Sequence, residues 1–143
     1  MSRPFRKGRR ALKVKWNPDR KLYEPVLLEE HVLREIVDRL WLQAKIKMWR
    51  INQPVAGKTR QNEAGIPDLM GWIPCKSPSQ RLDSGDERAV PLYIEVKRPG
   101  GVRRTAQIRF IEEARAGGCA AFFAESWTDV MRELYPYGLR LAA

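Results

Sequence analysis

The chain has almost no cysteine or histidine: Cys75, Cys119 and His31 are the whole stock in 143 residues. The two cysteines stand far apart and neither belongs to a CxxC or Cys/His cluster, so they read as reduced structural thiols, and a zinc site is not indicated. One histidine leaves no triad built on several imidazoles, and His31, placed in a helical pattern, reads as a surface or structural residue. Long apolar runs are missing as well. None approaches the roughly 20 residues of a membrane span, and no apolar stretch follows the basic N-terminus as in a signal peptide. These absences lead to the expectation of a soluble, intracellular protein with no membrane partner, in cytoplasm, nucleoid or a virus-infected host cell. Acid is also scarce, with 17 Asp and Glu against 27 Lys and Arg and a formal net charge of +10.

What is present fits one globular domain. Hydrophobic residues make up 43% of the chain, enough for a single core at this length. Much of the positive charge lies in the first 21 residues, where Arg3, Arg6, Lys7, Arg9, Arg10, Lys13, Lys15, Arg20 and Lys21 face Asp19 alone. Such an excess favours a polyanion, either nucleic acid or an anionic membrane surface. Trp16 beside Lys13 and Lys15 tilts the reading to nucleic acid, because an aromatic ring among cations can stack on a base. A solubilising tail is the bland alternative. Residues 1–24, which lack a sustained period, read as a basic arm that is partly disordered until bound. Residues 25–143 read as the domain.

From Leu28 the apolar positions recur at three- and four-residue spacing through Val32, Leu33, Ile36, Val37, Leu40, Trp41 and Ala44, which predicts an amphipathic helix. Met48 to Asn52 reads as a short strand and 53–65 as a polar loop. Asp68 to Ile73 reads as a second strand, 74–89 as an exposed excursion, and Pro91 to Lys97 as a third strand stopped by Pro99-Gly100-Gly101. A helix over about 103–116 follows, with Gln107, Phe110, Ile111 and Ala114 on one face and Gly117-Gly118 as its stop. Cys119 to Ala124 then reads as a buried strand, and Ser126 as the N-cap of a last helix over 127–134. A helix between the last two strands implies a crossover and a mixed sheet.

The chemistry concentrates in Tyr93-Ile94-Glu95-Val96-Lys97-Arg98-Pro99 and in Ile66-Pro67-Asp68-Leu69 upstream. Side chains of a strand alternate between faces, so Glu95 and Lys97 point one way with Tyr93, while Leu92, Ile94 and Val96 point to the core. Asp68 opens the preceding strand, and Gln107 lies one turn into the following helix. If the two strands are neighbours, a carboxylate pair, an ammonium and an amide meet at one end of the sheet. Two hard oxygen ligands beside a lysine are what a Mg²⁺-dependent phosphodiesterase needs. Each string alone is common; their order carries the signal.

In that order the chain resembles the virus-type replication-repair nuclease (VRR-NUC) domains, a branch of the PD-(D/E)xK nuclease superfamily. The matching residues are Glu30-His31-Val32-Leu33, Trp49-Arg50-Ile51-Asn52, Gly65-Ile66-Pro67-Asp68-Leu69, Ile94-Glu95-Val96-Lys97-Arg98 and Thr105-Ala106-Gln107 with Phe110. The resemblance implies an α/β, restriction-endonuclease-like αβββαβ core with a mixed central sheet flanked by helices. It implies Mg²⁺, with Mn²⁺ able to substitute, held by Asp68, Glu95 and the backbone carbonyl of Val96. Lys97 would position or activate the attacking water or act electrostatically, and Gln107 would orient lysine or water. Glu30 would complete the acidic shell. Helical arithmetic, however, puts Glu29 nearer the centre of the apolar face, so Glu29 stays as the alternate, and Arg34 departs from a family preference for glutamine. Arg50, Asn52 and Arg98 are further candidates for DNA contact; Arg50 and Asn52 read equally as an exposed strand face.

Three readings of function follow. The first is a metal-dependent DNA endonuclease in replication, recombination or repair. By resemblance it would act on branched DNA such as a Holliday junction, as a homodimer, and a viral source would suit so compact a chain. The second is a non-catalytic nucleic-acid-binding module. The third is a nuclease subunit of a larger repair or restriction assembly.

Overall fold

Strand alternation and helix phase divide the apolar residues between two sides of one sheet. The computed structural model describes residues 14–25, 28–51, 65–74 and 88–143. In chain order these hold β1 (Val14–Asn17), β2 (Leu22–Pro25), α1 (Glu29–Ala44), β3 (Trp49–Arg50), β4 (Leu69–Ile73), β5 (Val90–Val96), α2 (Thr105–Ala116), β6 (Ala120–Ala124) and α3 (Trp127–Leu134). A 3-10 turn, Tyr135–Tyr137, follows α3. The sheet order is β3-β4-β5-β6, antiparallel except for the parallel pair β5-β6. Parallel pairing needs a crossover, and α2 supplies it. The architecture is a mixed α/β layer structure with a four-stranded sheet flanked by helices, as the restriction-endonuclease-like expectation requires.

One face of the sheet carries Leu69, Ile73, Leu92, Ile94, Val96, Ala120, Phe122 and Ala124, all in the main core. Val32, Leu33, Ile36 and Leu40 of α1, with Trp127, Val130 and Leu134 of α3, cover that face. These helix positions repeat at i, i+3/i+4, which is why α1 and α3 bury one stripe each. Two residues expected on the α1 stripe, Leu28 and Trp41, are instead exposed. They sit at the edges of the apolar arc, which the sheet does not reach. α2 lies on the opposite face, where Phe110 meets Tyr93 edge-on at 5.3 Å. Ser126 caps α3 as expected, its Oγ accepting the Asp129 N–H at 3.3 Å.

The first strand of the sheet is shorter than its sequence suggested, only Trp49–Arg50. Most of the loops expected over 53–65 and 74–89 lies outside the described residues. Within the segment read as an arm, residues 14–25 form a β-hairpin with Trp16 opposite Tyr23. Asn17 Oδ1 accepts the N–H groups of Asp19 and Arg20, which closes the turn. The alternation Val14-Lys15-Trp16-Asn17 was the available signal for β1; it is short, and Val14, Trp16, Leu22 and Tyr23 remain exposed. Cys119 is a free thiol. Among the described residues no helix is long and apolar enough to cross a membrane.

Candidate active site

The register of β4 and β5 pairs Leu69 with Ile94, and one step further sets Asp68 opposite Glu95. Asp68 is fixed from both sides of its own residue. Its Oδ2 accepts the Val96 N–H at 3.0 Å, and its carbonyl accepts the Ile51 N–H at 2.9 Å. Gly65 explains the approach to this position. Its φ is +95°, and a Cβ there would lie 2.5 Å from the Ala106 carbonyl oxygen of α2. Only glycine both adopts that backbone freely and lets the segment sit against the helix. The glycine thus ties the Asp68 segment to the helix that carries Gln107.

Glu95 and Lys97 point to the α2 face, as alternation requires, yet they are not solvent-facing. Glu95 is 2% and Lys97 7% exposed. Lys97 Nζ donates to Glu95 Oε1 at 2.7 Å, and its backbone N–H donates to the Ala124 carbonyl at 2.9 Å, continuing the β5-β6 ladder. Gln107 Nε2 also donates to Glu95 Oε1. The Gln107 Oε1 accepts the Arg104 N–H at 3.0 Å at the start of α2, and this cap aims the amide N–H at the carboxylate. Two donors therefore converge on Oε1. Oε2 of Glu95 is buried with no hydrogen-bond partner among the described residues.

The electrostatics follow from that crowding. Burial pushes the Glu95 carboxyl up to about 7; the hydrogen bond and charge of Lys97 oppose this, and Asp68 and Glu29 add to it. Burial likewise raises Asp68, partly offset by the Val96 N–H. A bound cation would remove both costs at once, since the two carboxylates repel each other and one oxygen lacks any partner. Among the described residues, no three Asp, Glu, His or Cys side chains form a ready-made metal cluster. Two carboxylates lining a cleft open to solvent suit a hard ion that keeps several waters.

Helix one is where sequence and structure part. Glu29 lines the cleft with Asp68, Glu95 and Lys97. Glu30, the residue selected from the family pattern, turns instead to Arg50, whose NH2 and NH1 lie 2.9 and 3.2 Å from its two carboxylate oxygens. Arg34 adds a longer contact at 3.7 Å. The buried residues Val32, Leu33, Ile36 and Leu40 follow Glu29 at i+3, i+4, i+7 and i+11, so the stripe that packs on the sheet points Glu29 over its end. Helical phase, rather than the family pattern, gives this placement. The same pair ties the partly exposed Arg50 guanidinium to α1, and its charge also acts on Asp68.

Arg98, a candidate for DNA contact, lines the cleft, and Arg104 joins it from the α2 N-terminus. Sequence reasoning missed Arg104; its signal was the Arg103-Arg104 pair just after Gly100-Gly101. Asn52 and the arm residues Arg3, Arg6, Lys7, Arg9 and Arg10 lie outside the described residues.

A mixed sheet with helices on both faces and an acid, acid and lysine at the end of two neighbouring strands defines a nuclease of the PD-(D/E)xK type. The chain matches the VRR-NUC domain family over residues 7–127 and belongs to it. No curated protein and no solved structure matches the chain.

Proposed function

We propose that this protein is a divalent-metal-dependent endonuclease that hydrolyses phosphodiester bonds in branched DNA during replication, recombination or repair, acting as a homodimer. The observation that carries the reading is the buried Glu95 Oε2, unpartnered beside Asp68 in a cleft rimmed by Arg98 and Arg104. A non-catalytic binding module has no use for a buried Glu95 carboxylate set against a half-buried, repelling Asp68.

Asp68 and Glu95 would hold Mg²⁺, with the Val96 carbonyl as a further oxygen ligand by family resemblance. When bound, the ion acidifies water and neutralises charge on the scissile phosphate. Lys97, held by Glu95, offers N–H protons toward the attacking water and the phosphoryl oxygens, where negative charge grows. Gln107 and Lys97 keep Glu95 Oε1 occupied, which would leave Oε2 as the oxygen available to the ion. Glu29 adds an acidic group at the cleft in the place the family pattern gives to Glu30. Arg98 and Arg104 would clamp phosphates beside the cleavage point. A homodimer would present two centres to the two strands of a junction.

The test is cleavage of labelled single-stranded, duplex, flapped and four-way DNA with Mg²⁺, Mn²⁺, Ca²⁺ or EDTA. Cutting is expected with Mg²⁺ and Mn²⁺ only, and Asp68→Asn should abolish it while binding survives. Binding without cleavage under every ion would leave the binding-module reading in its place.

A further inference from the structure

The catalytic face of the sheet does not end at Asp68. Met70 and Trp72 follow it on the same face of β4, and Trp49 of β3 pairs across with Met70. α2 covers β5 and β6 on this side, whereas Trp49 is 38%, Met70 38% and Trp72 51% exposed. The two indoles stack on one another, with centroids 4.9 Å apart and planes at 27°. The Lys47 ammonium lies 5.1 Å from the Trp49 centroid. A contiguous exposed aromatic patch is a feature that water disfavours, and it marks a contact surface.

We propose that this patch stacks an unpaired base of the DNA strand that enters or leaves the cleft, which makes a branch or flap beside the scissile phosphate the preferred substrate. The assignment rests on the nuclease reading above and adds a base-stacking contact outside the cleft. Three observations support it. The four-residue step along β4 from Asp68 to Trp72 spans roughly 13 Å, within reach of nucleotides adjoining the reacting phosphate. Stacked indoles with a neighbouring ammonium are what a single-stranded segment binds, base on ring and phosphate on cation. Charge also favours the occupant: a polyanion brings the opposite charge to a patch that holds Lys47 in a chain of net charge +10. Duplex bases, already stacked and paired, cannot reach the rings.

The experiment measures affinity of the full chain in EDTA, where nothing is cut, for a blunt duplex, a single strand and the same duplex bearing a single-stranded flap. Wild type should bind the flapped DNA more tightly than the blunt duplex. Trp72→Leu should weaken flap and single-strand binding about tenfold or more, with duplex affinity and melting temperature unchanged. Trp72→Phe should restore most of the loss, and Trp49→Leu should repeat it more weakly. The stacking assignment is overturned if Trp72→Leu keeps the flap preference or loses duplex affinity equally. It is also overturned if wild type is a dimer that Trp72→Leu dissociates, since the patch would then be a subunit interface. Flap-selective binding that Trp72→Leu removes, in a protein that cuts no DNA with Mg²⁺, would uphold the stacking site and sink the nuclease reading instead.

Discussion

Lys97 Nζ lies 2.7 Å from Glu95 Oε1, and both side chains are almost wholly buried on one face of β5. The pair keeps an ionised carboxylate tolerable in a place where burial opposes it. Lys97→Met should therefore act twice. Cleavage should fall by about a hundredfold or more through loss of the proton donor. The acid limb of the pH–rate profile should also move to higher pH, because Glu95 loses its cation. Single-turnover cleavage across pH checks both, and an unmoved limb would detach Lys97 from Glu95.

Stability of the metal-free protein should depend on pH through the same carboxyl. Glu95 titrates near 4.5 when unfolded and about 7 when folded. Between those values the folded chain holds a proton that the unfolded chain has released. Stability from this group is greatest below pH 4.5 and declines as pH rises to about 7, by roughly 3 kcal/mol. Asp68, raised as well, works in the same direction from lower pH. Urea unfolding of wild type against Glu95→Gln isolates the contribution, since the variant lacks it. Added Mg²⁺ should stabilise wild type more at pH 8 than at pH 5. A Glu95→Gln curve parallel to wild type would contradict the assignment.

Glu29 and Glu30 should separate cleanly. Glu29→Gln is expected to lower cleavage with little change in melting temperature, because it faces the cleft. Glu30→Gln is expected to leave the chemical step intact and to cost no more than about 1 kcal/mol, the value of a partly exposed ion pair with Arg50. Parallel rate and melting measurements decide the matter; the reverse pattern would restore Glu30 to the site.

Gly65→Ala should damage both fold and activity. The new Cβ would meet the Ala106 carbonyl at 2.5 Å and force a φ of +95° on an L side chain. Loss of at least about 1 kcal/mol in denaturant unfolding is expected. Cleavage should drop further than stability alone explains, since the Asp68 segment and Gln107 lose their common support. Wild-type unfolding and rate would show that the segment tolerates the shift.

The basic N-terminal residues are a question of counterions. Removing residues 1–13 deletes Arg3, Arg6, Lys7, Arg9, Arg10 and Lys13. DNA affinity should fall and the slope of log K against log salt should flatten, by about 0.9 for each duplex phosphate that the shortened chain no longer neutralises. A salt titration of binding with and without the segment checks this, and equal slopes would return it to the role of a solubilising tail.

Much of the site was legible in the sequence. The alternation Leu92-Tyr93-Ile94-Glu95-Val96-Lys97 set which side chains enter the core and which face α2, because a strand has a period of two. The stripe of α1 and the serine cap of α3 were readable for similar local reasons. The hairpin over 14–25 was not, although Val14-Lys15-Trp16-Asn17 alternates and the Asn17-Pro18-Asp19 turn follows. Four alternating residues among many cations make a weak signal, and Val14, Trp16, Leu22 and Tyr23 stay exposed.

Residue type and spacing determined that this chain carries an acid, acid and lysine site on a mixed sheet, and they placed each of those groups near a strand end. Tertiary packing decided their partners. It turned Glu29 to the cleft and Glu30 to Arg50, left Glu95 Oε2 buried without a donor, and exposed Trp49 and Trp72 beyond the edge of α2. A single residue step around a helix is about 100°. Which of two adjacent acids reaches a cleft therefore depends on the face the helix buries, and ion pairs are chosen by distance through space rather than along the chain.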